Sequence, residues 1–595
     1  MINNLHPAFI LILAAFVVPF LRGKMKNVFL LMVPLLGLLN QVYLPEGNLW
    51  NIHFMNYQMD FLRVDKLSMI FGYIFHIITF LGLLYALNFK NNIEFVAALI
   101  YAGSALGVVF AGDLLTLFFF WEIMSVSSTC LIFARKIPEA IKAGFRYFLV
   151  HLTGGLILLV GIILYFNETG SLSFNNIVLN STGAYLIFLG FGINCAWPVI
   201  HSWLPDAYPQ ATIAGAVFLS SFTTKTAVYV LARGFAGVDL LIWIGLVMTV
   251  FPIFYAVIEN DLRRVLSYSL INQVGFMVVG IGIGTNMAIN GVAAHAFAHI
   301  LYKALLFMSM GAVLLQTGKI KATELGGLYK SMPITALCCI IGAASISAFP
   351  LFSGFVSKSI IMSAAGHEHL MLVWIVLLFA SAGAISAEAG IKIPFFAFFS
   401  HDSGLRPKEP PLNMLVAMLV TAFLCLFIGI FPGYLYAFLP YPINYVPYTS
   451  THIITQLQLL IFSALAFTLL LRSGIYPSEI RSLNIDSDWL YRKGGKTFLW
   501  FVDNPMVKVS NVMKDTFFVI IPRILNLFIL RPIAVLLLLF IEKEKKRELK
   551  EALFSGEIYY FNEIHKYWNI GLSVLIIILL LSIYLLVFFL QHIYR

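Results

Sequence analysis

The sequence predicts an all-α polytopic membrane protein, and three observations carry that prediction. Of its 595 residues, 60% are hydrophobic and 11% are charged, and the mean hydropathy is +0.91, whereas a soluble domain carries about 25% charged residues. Apolar runs of the length a bilayer-spanning helix needs, about 20 residues, recur along most of the chain. Basic residues gather in a series of loops on one side while opposite loops such as 167–183 and 433–452 hold no Lys or Arg, as happens when Lys and Arg collect on the cytoplasmic side. The formal charge of +10 follows from those loops and does not point to nucleic acid.

Taken in order, the apolar runs fall at about 6–22, 27–44, 67–87, 94–110, 114–134, 144–166, 184–203, 213–234, 239–258, 265–284 and 289–315. After them come roughly 333–366 (interrupted), 369–398, 412–432, 453–472 and 567–591. No small-residue cleavage site follows Arg22-Gly23-Lys24, so the first run reads as a retained helix and not a signal peptide. Basic loops follow the first, third and fifth runs (Arg22/Lys24/Lys26, Lys90, Arg135/Lys136/Lys142), and Arg263/Arg264, Lys319/Lys321/Lys330 and Arg406/Lys408 fall on the same side. Loops 167–183 and 433–452 contain no Lys or Arg. The N-terminus is therefore expected outside and the basic loops inside.

Buried charge is the informative anomaly. Residues 289–317 are apolar enough to span, yet hold His295, His299 and Lys303, each four after the last and so on one helix face. An ionisable residue at the bilayer centre costs roughly 2.5–3.5 kcal/mol on insertion scales. Three on one face fit satisfied helix packing or, more sharply, a segment of a proton or ion path. Histidine suits such a path because it titrates near neutrality and has two ring nitrogens. Glu122 in TLFFFWEIMSVSS and Lys225 in AVFLSSFTTKTAVYVLAR are equally isolated, and Lys358 lies just beyond a Pro350…Gly354 interruption. An interrupted helix frees backbone groups in mid-membrane, which is tolerable beside a cavity or within protein. Ala196-Trp197-Pro198-Val199 resembles Ala348-Phe349-Pro350-Leu351, and paired Pro-interrupted segments in two halves of a transporter point to an internal repeat.

The stretches LLTLFFFWEIMSVSSTCLI, HSWLPDAYPQATIAGAVF with LSSFTTKTAVYVLAR, ENDLRRVLSYSLINQVGF and HAFAHILYKALLF resemble the antiporter-like subunits shared by Mrp-type multisubunit cation/proton antiporters and the membrane arm of respiratory complex I. The resemblance covers residues 65–435. It implies a core of about 14 helices with two inverted five-helix repeats and a row of ionisable residues along the bilayer midplane. Carried over by position, Glu122 is the first-repeat acid, Lys225 a connecting lysine, His295, His299 and Lys303 the central relay, and Lys358 the lysine of the second interrupted helix. One departure stands out: the family usually has a lysine nine residues before the WLP tryptophan, where it pairs with the acid, and this chain has Asn194. Either the first half-channel is modified, with Lys225 the candidate substitute cation for Glu122, or it is silent.

The organisation expected is 1–110 N-terminal transmembrane helices, 94–435 translocation core, 436–472 a further transmembrane helix, 473–566 a cytoplasmic-side amphipathic or lateral segment, and 567–595 a final transmembrane helix. Gly494-Gly495, Pro522 and Pro532 argue against one unbroken helix in the lateral segment. The five cysteines show no metal-ligand spacing, and no Gly-rich βα turn is present. No cofactor is therefore expected in this chain, and any oxidoreductase chemistry would belong to partner subunits. The leading expectation is a membrane subunit of a multisubunit Na+/H+ antiporter, closest to the D type, in a bacterial inner membrane. Its partners would be other membrane subunits, protons and Na+. The alternatives are a proton-pumping subunit of an NADH:quinone oxidoreductase-like complex and a structural paralogue that conducts nothing.

Overall fold

A computed structural model describes residues 5–54, 57–386, 388–475 and 484–530, with residues 578 and 581. Residues 1–489 form one unit and 490–595 a second. In the first, α1 (Pro7–Val17) and α2 (Gly23–Val42) lead into a hairpin, then α3 (Lys66–Ala86), α4 (Asn92–Phe110), α5 (Leu114–Phe133), α6 (Pro138–Thr169) and α7 (Thr182–Asn194). The hairpin is antiparallel, β1 (Gly47–Phe54) against β2 (Tyr57–Val64), with register shifts around Trp50. The all-α reading did not anticipate it.

Polar side chains at the helix starts set where the spans begin. Asp65 closes a capping box with Ser68 before α3, and Asp113 accepts from the amides of Leu115 and Thr116 before α5. Each satisfies amides that the first helical turn leaves without partners. The chain continues through a short α8 (Trp203–Ala207), α9 (Ile213–Ser221), α10 (Thr223–Gly234), α11 (Asp239–Ile258), α12 (Leu262–Ile283) and α13 (Asn286–Thr317). Then come α14 (Pro333–Ile346), α15 (Ser353–His367), α16 (Met371–Ser386), a turn α17 (Lys392–Pro394), α18 (Leu412–Ile430), a turn α19 (Pro432–Tyr436) and α20 (Ser450–Arg472). Eleven helices among the described residues are long and apolar enough to cross a membrane, and shorter apolar helices include Thr182–Asn194 and Pro333–Ile346. The protein is an integral membrane protein.

Two interruptions share one backbone path. After α7, Ala196 and Val199 take φ of 61° and 73°; after α14, Ala348 and Leu351 take 54° and 75°. Non-glycine residues rarely adopt this left-handed region. Here it recurs at the first and fourth positions of two matching tetrapeptides. The hydrogen bonds match as well: Trp197 N donates to Gly192 O at 3.2 Å and Phe349 N to Ala344 O at 3.0 Å. The sequence similarity between the tetrapeptides therefore extends to their geometry.

The second unit continues α21 (Asp488–Phe501) through a π-helical turn at Val502–Met506, α22 (Val507–Asp515), another π turn at Thr516–Ile520 and α23 (Ile521–Leu530). The expected break at Gly494-Gly495 does not occur, since both lie inside α21. Pro505 sits in the first π turn, and Pro522 is the second residue of α23. A proline is tolerated in the first turn of a helix, where its missing N–H deprives no intrahelical bond. The rest of the expected interfacial run, Pro532 and the final transmembrane helix at 567–591 lie outside the described residues.

A candidate site of buried ionisable residues

The central helix of the site, α13, is capped by Thr285, which accepts from Ala288 N, and is ended by Gly318 at φ 68°. It carries the predicted ladder through the middle of the unit, and His295, His299 and Lys303 are each 0% exposed. Lys303 Nζ donates to Ser269 Oγ at 2.9 Å and to Leu266 O at 3.3 Å, both on α12. His295 Nδ1 lies 3.2 Å from Ser357 Oγ on α15. The two imidazole centroids are 6.1 Å apart. Neither nitrogen of His299 meets a hydrogen-bond partner among the described residues.

Lys358 completes the second half. Its Nζ donates to Ile346 O at 3.1 Å, the carbonyl that the interruption after α14 frees, and sits 4.8 Å from the Phe276 ring centroid. In the first half an indole donates beside the interruption: Trp203 Nε1 to Ile193 O at 3.0 Å, a carbonyl that Ala196 N also meets at 3.1 Å. Sequence reasoning missed Glu388. It is 0% exposed, follows α16 and interacts electrostatically with both Lys303 and Lys358. Its carboxyl also interacts with the Ser269 hydroxyl that accepts from Lys303 Nζ. A single acid in the run AISAEAGIK was the available signal. Lys392, nearby in sequence, is anchored by carbonyls of Ala256, Val257 and Glu259 at 2.8–2.9 Å.

The first half departs from expectation. Lys225 is fully buried, but its Nζ donates to Ser220 O at 2.6 Å and Thr224 Oγ1 at 3.1 Å. Ser220 lies beside the break between α9 and α10, so this lysine satisfies a freed carbonyl. Glu122 is not its partner. The carboxyl lies over Gly155 of α6, so close that a Cβ at Gly155 would overlap Glu122 Oε1. That oxygen is buried with no hydrogen-bond partner among the described residues. Glu122 also lines an apolar cleft of about 620 Å³ with Ile93, Val96, Ala97, Ile123 and Val126. The expected Glu122–Lys225 pair is thus absent, because each side chain is turned toward a different helix. Asn194 has a partner that sequence reasoning did not name: its Oδ1 lies 2.7 Å from Nδ1 of His151 on α6.

A further polar contact joins the loop after the first interruption to the segment after α20. His201 Nε2 is 3.1 Å from Asp486 Oδ1, and Tyr268 donates to Asp486 Oδ2 at 2.8 Å. Burial raises the Asp486 pKa, but the His201 contact and the Tyr268 and Ser487 hydrogen bonds outweigh it and hold the carboxyl below its ordinary value.

Residues 111–386 match the model of the family described as NADH:quinone oxidoreductase/Mrp antiporter, transmembrane. Over that stretch, a little under half of its length, the chain is similar to that family. Among curated relatives, hydrogenase-4 component B of Escherichia coli (strain K12) is 27% identical over 424 residues, 63% of this chain and 63% of that protein. The D-type Na(+)/H(+) antiporter subunit of Alkalihalophilus pseudofirmus is 30% identical over 335 residues, 53% of this chain and 66% of that protein. The chain thus spans slightly less than two thirds of the length of these two relatives. Among solved structures, a chain of the Mrp complex from Dietzia sp. DQ12-45-1b superposes with a TM-score of 0.74 at 22% identity, over 90% of this chain and 63% of that one. At that identity the likeness is one of fold. Glu122, Asn194, Lys225, the α13 ladder and Lys358 lie within the matched range 111–386 by position.

Proposed function

We propose that this protein is a membrane subunit of a multisubunit monovalent-cation (Na+)/proton antiporter and moves protons through its buried ionisable residues. One observation carries the reading. Lys225, His299, His295, Lys303, Glu388 and Lys358 form one electrostatically connected set between the two interruptions. Three lysines share this interior with one carboxyl, and several of its nitrogens have no partner among the described residues. Burying unpaired charge is expensive, and groups that can gain or lose a proton relieve that cost by passing it on. In this reading Lys358 and Glu388 exchange protons at one end. Lys303, His299 and His295 relay them, Lys225 connects the halves, and Glu122 with the Asn194 region forms the first half-channel. The distribution of basic loops supports an N-terminus outside, in a bacterial inner membrane, with the other subunits beside the chain in the bilayer.

The match to hydrogenase-4 component B favours a second reading, in which the same path serves a redox-driven complex whose cofactors lie in partner subunits. Purifying the native complex distinguishes them: small hydrophobic subunits indicate the antiporter, and hydrophilic iron–sulfur subunits the redox complex. Proton translocation itself is tested by dye-monitored flux in sealed vesicles, where a chain that assembles but moves no protons would overturn both.

A further inference from the structure

We propose that His151 exchanges protons with Glu122 in the first repeat, with Asn194 as its positioning residue. The inference rests on the proton-translocation reading above and deepens it. His151 is fully buried within α6. Its Nδ1 is 2.7 Å from Asn194 Oδ1, while its Nε2 is buried with no partner among the described residues. A carbonyl acceptor on Nδ1 places the proton there and leaves the Nε2 lone pair open. This is the condition in which an imidazole accepts a proton on one nitrogen while holding the other. The ring is fixed between Tyr147 and Trp203, with centroids at 4.1 and 4.5 Å.

The acid lies within reach. Glu122 Oε1 rests on Gly155, which is four residues after His151 on the same face of α6, an axial rise of about 6 Å. In the proposed transfer one water links carboxyl and imidazole. Gly155 makes the approach possible, since any side chain there would occupy the carboxyl's place. The step balances as a proton transfer. The Glu122 O–H bond breaks, an Nε2–H bond forms, and a carboxylate and an imidazolium result, the latter still donating from Nδ1 to Asn194.

A hydroxyl line continues from there. Tyr147, one turn before His151, donates to Ser128 Oγ at 3.0 Å and lies 3.4 Å from Thr223 Oγ1. Thr223 Oγ1 is 2.5 Å from Tyr101 Oη, and the next residue, Thr224, accepts from Lys225. Tyr147, on its own helix, is the titratable group in ring contact with His151, and Glu122 on α5 meets the same helix one turn on, at Gly155. Asn194 of α7 and Trp203 of α8 do not titrate, and Cys195, next to Asn194, faces Lys225. An asparagine that cannot carry a proton therefore holds a histidine that can.

The test is proton flux against pH in sealed vesicles carrying the whole complex, comparing wild type with His151→Gln, Glu122→Gln, the double variant and Lys358→Ala. Glutamine keeps a hydrogen bond to Asn194 but does not titrate. The expected result is a loss of about 100-fold for His151→Gln, the low end for a positioned proton-transfer group. The double variant should lose no more than the worse single one. Wild-type flux and pH profile in His151→Gln, with Lys358→Ala inactive, would overturn the inference and leave the broader reading standing. Undiminished flux in Lys358→Ala would overturn both. If His151→Gln does not assemble, pH-dependent infrared difference spectra of the assembled wild type decide. The carboxyl band absent from Glu122→Gln should shift when the imidazole titrates, and a band indifferent to that titration overturns the pairing.

Discussion

Lys358 does two separable jobs, and substitutions can divide them. Its ammonium caps the Ile346 carbonyl that the helix interruption frees, at 3.1 Å, and it stands opposite Glu388. Truncation to alanine leaves a buried carbonyl unpaired, a cost of about 1–3 kcal/mol. It also leaves Glu388 with Lys303 as its remaining lysine partner among the described residues. Lys358→Arg keeps a donor and a permanent positive charge but cannot release a proton at any working pH. The Ala variant should therefore lose both thermal stability in detergent and proton flux. The Arg variant should keep most of the stability and still lose the flux. Thermal unfolding of the purified complex reads the first effect and dye-monitored flux in vesicles the second. An Arg variant that conducts like wild type would refute proton exchange at Lys358 and reduce it to a cap.

The remaining predictions concern the rest of the path. Residues in series lose function non-additively, so His299→Ala with Lys303→Ala should cost little more than the worse single change, and fully multiplicative losses in the cycle would count against a shared path. Glu122 lies against Gly155 while Lys225 donates to Ser220 O, so Lys225→Ala should leave the carboxyl infrared band of Glu122 where it is in wild type; a shift of that band would restore the pair that the structure lacks. Asp486 is held below its ordinary carboxyl value by His201, Tyr268 and Ser487 despite burial. Its contribution to docking residues 484–489 is thus full above about pH 3.9 and is lost as pH falls through the lowered value. Asp486→Asn should speed hydrogen exchange of that segment at neutral pH, and unchanged exchange would show that the contact holds nothing down.

Long apolar spans were legible because twenty apolar residues leave a chain few alternatives in a bilayer. The ladder on α13 was legible because four-residue spacing alone puts side chains on one helix face. Partners across helices were not. Lys225 lies on the polypeptide stretch after Asn194, yet sequence does not say that its ammonium turns to the Ser220 carbonyl. That preference depends on the break at Phe222 between α9 and α10, which hydropathy averages away. His151 was passed over because a single histidine in RYFLVHLTGG reads as ordinary helix packing until Asn194 is seen against it. Glu388 was hidden in a stretch that reads as the end of one continuous span, whereas α16 stops at Ser386. The helix that begins at Asp488 departs from expectation for a different reason. Gly494-Gly495 weaken a helix by about 1 kcal/mol each relative to alanine, a penalty that does not have to break a long one.

The most direct test of proton movement through the buried set is flux in sealed vesicles carrying the complex, driven by an imposed sodium gradient without reductant. Glu388→Gln is the informative variant, since it removes the one carboxyl facing both Lys303 and Lys358 among the described residues while keeping its size. The account predicts sodium-driven proton flux in wild type and none in Glu388→Gln. Equal flux in the two would contradict it.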